Sequence, residues 1–312
     1  MAARRVVVTG AAGFVAAAVV RRLLRDGHRV QAWLRPGTDA WRLGGFEEAG
    51  SGLEIVRFDL RDLGTVEGSG RASSVLVRFR PDIVIHAAWQ GMRGAGRDDP
   101  AQIEFVSLGV EVVRLAATAG AKRFVGLGSQ AEYGPHDGLI SEETLTSPST
   151  LYGAAKLACG HLSFALARRL RLSAAWARLF SIYGPGERSG SLIPDLARAL
   201  RQGLSFPLGD GNGRWDYLYE DDAAEALVRL AVQDDAQGFF NVASGIAVPL
   251  REVMLRIGAL VAPGVALAIG ARPSAPGDLP RLEADVTRLV QATGWRPRTG
   301  LDVGLARAVA AI

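Results

Sequence analysis

The stretch Arg5–Ala16, RVVVTGAAGFVA, decides the fold. Arg5–Gly10 is a short β-branched run, the pattern of a strand covered on both faces. TGAAGFVA follows at once and opens a helical pattern, Phe14–Gly27, that ends on a glycine suited to the C′ position. Gly10 and Gly13 fill the first two places of a G-x-x-G-x-x-G spacing, and Ala16 takes the third. A bare backbone between strand and helix lets amides at the helix N-terminus approach a pyrophosphate. The third place mainly sets helix–strand packing, so alanine is tolerated there.

Outward from this unit, strand and helix patterns alternate. HRVQAWL, LEIVRF, PDIVIHAA, KRFVGLGS and SAAWARLF read as strands. RASSVLVRFR, Pro100–Ala119 and TLYGAAKLACGHLSFALARRL read as helices. This rhythm predicts an α/β fold, a Rossmann-type doubly wound parallel sheet. After about Phe180 the rhythm breaks into turn-rich segments, IYGPGERSGSLIP and GDGNGRWD, before helix and strand signals return at Asp221–Val232, GFFNVA and Leu250–Val261. The expected division is a dinucleotide-binding domain, 1–180 with 216–242 returning to it. A smaller C-terminal substrate-binding lobe, 181–215 and 243–312, lies over the carboxyl ends of the strands.

Bulk properties narrow the function. A chain of 312 residues, 48% hydrophobic and 22% charged, can bury a large core. Its net charge of +4 suits an anionic small molecule, and the absence of basic blocks with interleaved aromatics argues against nucleic acid. The only cysteine is Cys159, which fits a reducing cytoplasm and excludes intrachain disulfides. No apolar run is long enough to span a membrane, and the histidines show no metal-ligand spacing, so no metal is expected. At the end of the second strand an acid would hold the ribose hydroxyls of NAD, whereas the arginine found there, Arg35, favours the 2′-phosphate of NADP. Asp59 closes the third strand, either to read an adenine amino group or to cap a helix. His86 ends the fourth strand and reads as structural. Asp221 and Asp222 read as helix-capping residues.

Tyr152 and Lys156 stand at i and i+4 on a helix, where side chains share a face. Alone they could be a solvated pair or a proton-transfer pair. The chain, however, resembles the extended branch of the short-chain dehydrogenase/reductase superfamily over almost its whole length. The likeness runs through VTGAAGF, DLRD, HAA, GSQAEYG, YGAAK, ARLFSIYGPGE, DYLYEDDAAEA, FNVASG, GDLPRLEAD and GWRP. It implies that Tyr152 is the general acid/base, that Lys156 lowers the phenol pKa and binds the nicotinamide ribose, and that Ser129 hydrogen-bonds the reacting oxygen. On the same likeness the cofactor meets Gly10, Ala12, Gly13, Phe14, Val15, Arg35, Asp59 and Leu60. Ala87, Ala88, Tyr152, Lys156 and Tyr183 complete that set. The substrate, a nucleotide-diphosphate sugar, would meet Gln130, Glu132, Ser181, Leu192, Arg214 and Arg272.

The family's dehydratases carry an acidic pair directly after the catalytic Ser or Thr. Here those places hold Gln130 and Ala131, with Glu132 one position late, so elimination of water is disfavoured. Arg35 then favours an NADPH-dependent 4-ketoreductase acting on a nucleotide-linked 4-keto-6-deoxyhexose. The alternative is a 4-epimerase with resident NAD. A non-catalytic dinucleotide sensor is disfavoured, because both Tyr152 and Lys156 are present. Ser107 and Ser181 replace family asparagines, Trp215 stands where an arginine usually meets the pyrophosphate, and RPSAPGD interrupts the family's R-P-G-D. The resemblance also implies a homodimer on the helices Pro100–Ala119 and Thr150–Leu170.

Overall fold

The computed structural model describes residues 2–45, 50–273 and 281–312; most of the RPSAPGD motif lies outside them. Seven parallel strands form the main sheet: β1 (Arg5–Thr9), β2 (Arg29–Leu34), β3 (Leu53–Arg57), β4 (Ile83–His86), β5 (Arg123–Ser129), β7 (Ser173–Leu179) and β10 (Gly238–Val242). Their order is β10-β7-β5-β4-β1-β2-β3, so the strand order reverses between β1 and β4. That reversal opens the crevice in which doubly wound sheets bind ligands.

The β-branched run of β1 serves both faces. Val6 and Val8 pack into one apolar layer and Val7 into the other, all at most 1% exposed. The first layer is built by α1 (Phe14–Arg25) and α6 (Glu220–Val232), the second by α2 (Val66–Phe79), α3 (Gln102–Thr118) and α4 (Leu151–Arg169). With helices on both sides, an alternating pattern would place polar groups in a core, which explains the continuous apolar reading. Each such valine contributes about 1.5–3 kcal/mol through burial. Helix α1 closes as expected: Gly27 takes a φ of +82°, and the amides of Gly27 and His28 bond back to Leu24 and Leu23.

Above the carboxyl ends sits a second group of elements. Four strands, β6 (Leu139–Ile140), β9 (Arg214–Tyr219), β11 (Ala247–Pro249) and β12 (Arg281–Ala284), pair in the order β11-β9-β12-β6, and β8 (Ser181–Tyr183) joins β9. Helices α5 (Leu192–Arg201), α7 (Leu250–Val261) and α9 (Leu301–Ala310) pack on one another around Ile193, Leu196, Ile257 and Leu305. Helix α8 (Thr287–Thr293) returns to α6 and β10, and Trp295 beyond it is fully buried in the first layer.

Three sequence expectations change here. Strand β9 belongs to the upper sheet, so the chain rejoins the main sheet at Glu220 rather than at 216. The turn-rich reading of SLIP gives way to helix α5, because proline is accommodated in the first turn, where the amide has no helical partner. Asp222 also departs from its expected capping role: its carboxylate accepts the amides of Arg298 and Thr299 instead.

Gly10 shows why the first turn admits no side chain. Its φ is +66°, and a Cβ there would stand 2.6 Å from the Ala88 Cα. Gly10→Ala is expected to cost about 1–3 kcal/mol in chemical unfolding through backbone strain alone. It should also weaken cofactor retention, because Ala88 must move. Wild-type stability in that variant would contradict the close approach.

Candidate active site

Tyr152 lies in the first turn of α4, whose start is fixed by the Thr150 hydroxyl accepting the Gly153 amide at 3.2 Å. The ring is 7% exposed. Ser129 ends β5, and its hydroxyl bonds the Tyr152 phenol while accepting the Ala131 amide. Burial raises the phenol pKa; the Ser129 hydrogen bond and the nearby Arg97 guanidinium lower it, while the Glu132 charge raises it. Tyr152 and Ser129 are thus brought together as the sequence predicts.

Lys156 lies one turn further along α4 and is 3% exposed. Its ammonium donates to the Leu127 carbonyl at 2.6 Å and stands 3.9 Å from the centroid of the Trp89 ring. Burial pushes its pKa down to about 8, against the opposing effects of Cys159 and Glu132. A second cation, Arg97, has its guanidinium carbon 5.5 Å from the Tyr152 ring centroid and lowers the phenol pKa, by less than the Glu132 charge raises it.

Both hydroxyls open onto a cavity of about 880 Å³, within the range that accommodates a small-molecule ligand. Gln130, Ser181, Tyr183, Leu192 and Arg272 line it, together with Ile182, Ile193, Trp215, Tyr217, Arg93 and Arg97. Two expected substrate contacts are corrected. Glu132 is fully buried, and its carboxylate accepts the Ser129 amide (2.9 Å), the Trp176 indole N–H (2.9 Å) and the Arg178 guanidinium (2.7 Å). It holds the Ser129 turn from behind and does not face the cavity. A Cβ on Gly128 would stand 2.3 Å from the Trp176 indole nitrogen, so glycine in β5 is what admits this arrangement. Arg214 turns away and donates to the Ala247 carbonyl at 2.6 Å, while its neighbour Trp215 faces the cavity. Ser107 is exposed on α3.

The fold also carries a place for a dinucleotide. The N-cap of α1 is Gly13, which offers no side-chain cap, so the first-turn amides around Phe14 and Val15 remain available to an anion. Ala87 and Ala88 close the same turn from β4, and Arg35 stands exposed at the end of β2. Asp59 caps the following short turn, accepting the Arg61 amide at 3.0 Å and pairing with the Arg61 guanidinium, which keeps its carboxyl below the usual range. His86 is buried against the Thr9 hydroxyl at 2.8 Å, and burial pushes its pKa down to about 3, so it is a neutral structural group. Among the described residues no cluster of His, Cys, Asp or Glu could hold a metal, and no helix is long and apolar enough to cross a membrane.

Arg97, Arg93 and Trp89 escaped the sequence reading. They sit between β4 and α3, Arg97 within a 3-10 turn, Gly94–Asp98, too short for periodicity to set the direction of a side chain.

Residues 6–243 match the family described as "NAD dependent epimerase/dehydratase family". A UDP-glucose 4-epimerase of Mycolicibacterium smegmatis is 31% identical over 316 residues, covering 98% of this chain and 97% of that one. A dTDP-6-deoxy-L-talose 4-dehydrogenase (NAD(P)(+)) of Kitasatospora kifunensis is 28% identical, covering 95% of this chain and 92% of its own. Among solved structures, MoeE5 in complex with UDP-glucuronic acid and NAD is 31% identical with a TM-score of 0.79, covering 98% of both chains. MoeE5 has also been solved with UDP-glucose and NAD.

Proposed function

Since the chain belongs to the NAD-dependent epimerase/dehydratase family, we propose that it is a nucleotide-sugar 4-epimerase with resident NAD. Its substrate is a hexose carried on a nucleoside diphosphate, and it inverts C4. The observation that carries this reading is the Tyr152–Ser129 hydroxyl pair at the wall of a cavity of about 880 Å³. The first acid after Ser129 in sequence, Glu132, is buried in an ion pair. Elimination of water needs a carboxyl group aimed at the sugar, and Glu132 cannot serve; inversion through a transient ketone needs one acid/base and room for the ring to turn.

The first-turn amides of α1 and the Gly10–Gly13 turn would hold the pyrophosphate of NAD, with Lys156 and Tyr152 toward its nicotinamide ribose. When bound, NAD supplies a hydride acceptor that gives the same hydride back. Tyr152 takes the proton of the C4 hydroxyl as the carbon is oxidised and returns it when the carbon is reduced. The Ser129 hydroxyl donates to the phenolate or to the substrate oxygen and keeps the two aligned. Ser129, and less strongly Arg97, favour the phenolate against burial and the Glu132 charge.

Arg35 made a 4-ketoreductase the first expectation from sequence. The relatives support the epimerase better, since the 4-epimerase is the more similar of the two and MoeE5 holds NAD. Exposed Ile103 on α3 and Leu162 on α4 favour the expected homodimer on that helix pair. Purified protein is expected to release NAD on denaturation. Undenatured, it should interconvert a UDP-hexose and its C4 epimer with no cofactor added. Stoichiometric oxidation of added NADPH by a 4-keto sugar, with no C4 interconversion, would instead establish the reductase.

A further inference from the structure

Arg97 is a cavity arginine that no acid among the described residues neutralises. Its Nε is buried with no hydrogen-bond partner, and no ion pair engages its guanidinium among the described residues. The neighbouring acids are committed elsewhere: Asp98 accepts the Leu151 amide at 3.0 Å and Asp99 accepts the Ala101 amide at 2.8 Å. The loop itself is fixed, because the Gln102 amide donates to the carbonyls of Gln90, Gly91 and Gly96. Arg97 is therefore held, not merely found, with its guanidinium carbon 5.5 Å from the Tyr152 ring centroid. The other cavity arginines are engaged: Arg93 pairs with Glu187 at 3.1 Å, and Arg272 has contacts of its own.

Arg97 is half-buried on the cavity wall, and with no ion pair among the described residues its guanidinium is open to an anionic group of a ligand. Which charge follows from its position. The oxygen that meets Tyr152 is on C4. Of the two ring carbons next to it, C3 bears a neutral hydroxyl and C5 bears the C6 group, whereas the diphosphate is attached at C1, across the ring from C4. The position beside the reacting carbon that can carry a negative charge is therefore C6. A methyl or hydroxymethyl at C6 leaves the guanidinium uncompensated, while a carboxylate pairs with it in two parallel hydrogen bonds. We infer that the substrate is a nucleoside diphosphate hexuronic acid and that Arg97 is the residue that selects it. This deepens the epimerase reading and rests on it for the identity of the reacting carbon.

The test compares UDP-glucuronic acid with UDP-glucose on the wild-type protein and on Arg97→Leu and Arg97→Lys. The wild type is expected to favour the uronic acid by roughly 100-fold or more in kcat/KM. Arg97→Leu should collapse that ratio mainly through KM, and Arg97→Lys should restore part of it. Equal losses on both sugars, with the pH profile displaced upward, would overturn the inference, because Arg97 would then act only on the phenol. So would a wild-type preference for UDP-glucose. Calorimetric binding of the two sugars to NAD-loaded Tyr152→Phe separates this inference from the reaction. Arg97-dependent preference in binding, with no C4 interconversion by the wild-type protein, would sink the epimerase and keep the carboxylate site. Interconversion with no such preference would do the reverse, and no binding of either sugar would sink both.

Discussion

Tyr152→Phe is expected to lower kcat by about 10²–10⁴-fold with KM nearly unchanged, the range a positioned acid/base supplies. The substitution removes one oxygen and leaves the ring, so packing against Trp89, with ring centroids 6.4 Å apart, and the contact with Arg97 survive. What disappears is the group that exchanges a proton with the C4 oxygen, together with its bond to Ser129. Such an interaction acts chiefly in the transition state, so kcat and kcat/KM should fall together. Bound NAD should still be recovered from the purified variant. Turnover within about fivefold of wild type would remove Tyr152 from the reaction and give the proton transfer to another group.

The second large effect is on stability. Glu132→Gln leaves the Arg178 guanidinium without its ionic partner in a site where the two side chains are 0% and 3% exposed. Breaking a buried pair from one side typically costs about 3–5 kcal/mol, because the remaining charge stays desolvated. Arg178 keeps only its aromatic neighbours, Tyr133 and Phe239, at 4.5 and 4.3 Å. Denaturant unfolding should show that loss. The double variant Glu132→Gln with Arg178→Met should recover part of it, because no buried charge remains. Turnover should also fall, since the same carboxylate accepts the Ser129 amide and so positions its hydroxyl. A single-variant loss below about 1 kcal/mol would mean that the pair is far better solvated than its burial implies.

Much of this was legible from sequence because it rests on periodicity and on glycine. A β-branched run, a bare turn and an amphipathic helix allow few arrangements, and β1–α1 formed as read. The Tyr152 and Lys156 spacing placed both on one buried face of α4. The failures have local causes. Ser129-x-x-Glu132 is a capping-box spacing, and both of its reciprocal bonds form. Read that way, Glu132 faces back toward the backbone, not outward toward a sugar. GDGNGRWD was read as turn-rich, but Arg214–Asp216 belong to β9, whose period of two puts Trp215 and Tyr217 on one face and Arg214 on the other. The cavity lining follows that alternation. Arg97 had no such signal, since it lies in a single 3-10 turn that Gln102 and Asp98 hold from two sides.

The central claim is that Tyr152 shuttles one proton while the hydrogen on C4 leaves and returns through the cofactor, never through solvent. Nuclear magnetic resonance of the sugar during C4 interconversion in deuterium oxide tests it most directly. The account predicts that both epimers reach the same ratio from either side with no deuterium on C4. Deuterium at C4, or product formed only in proportion to added reduced cofactor, would contradict it.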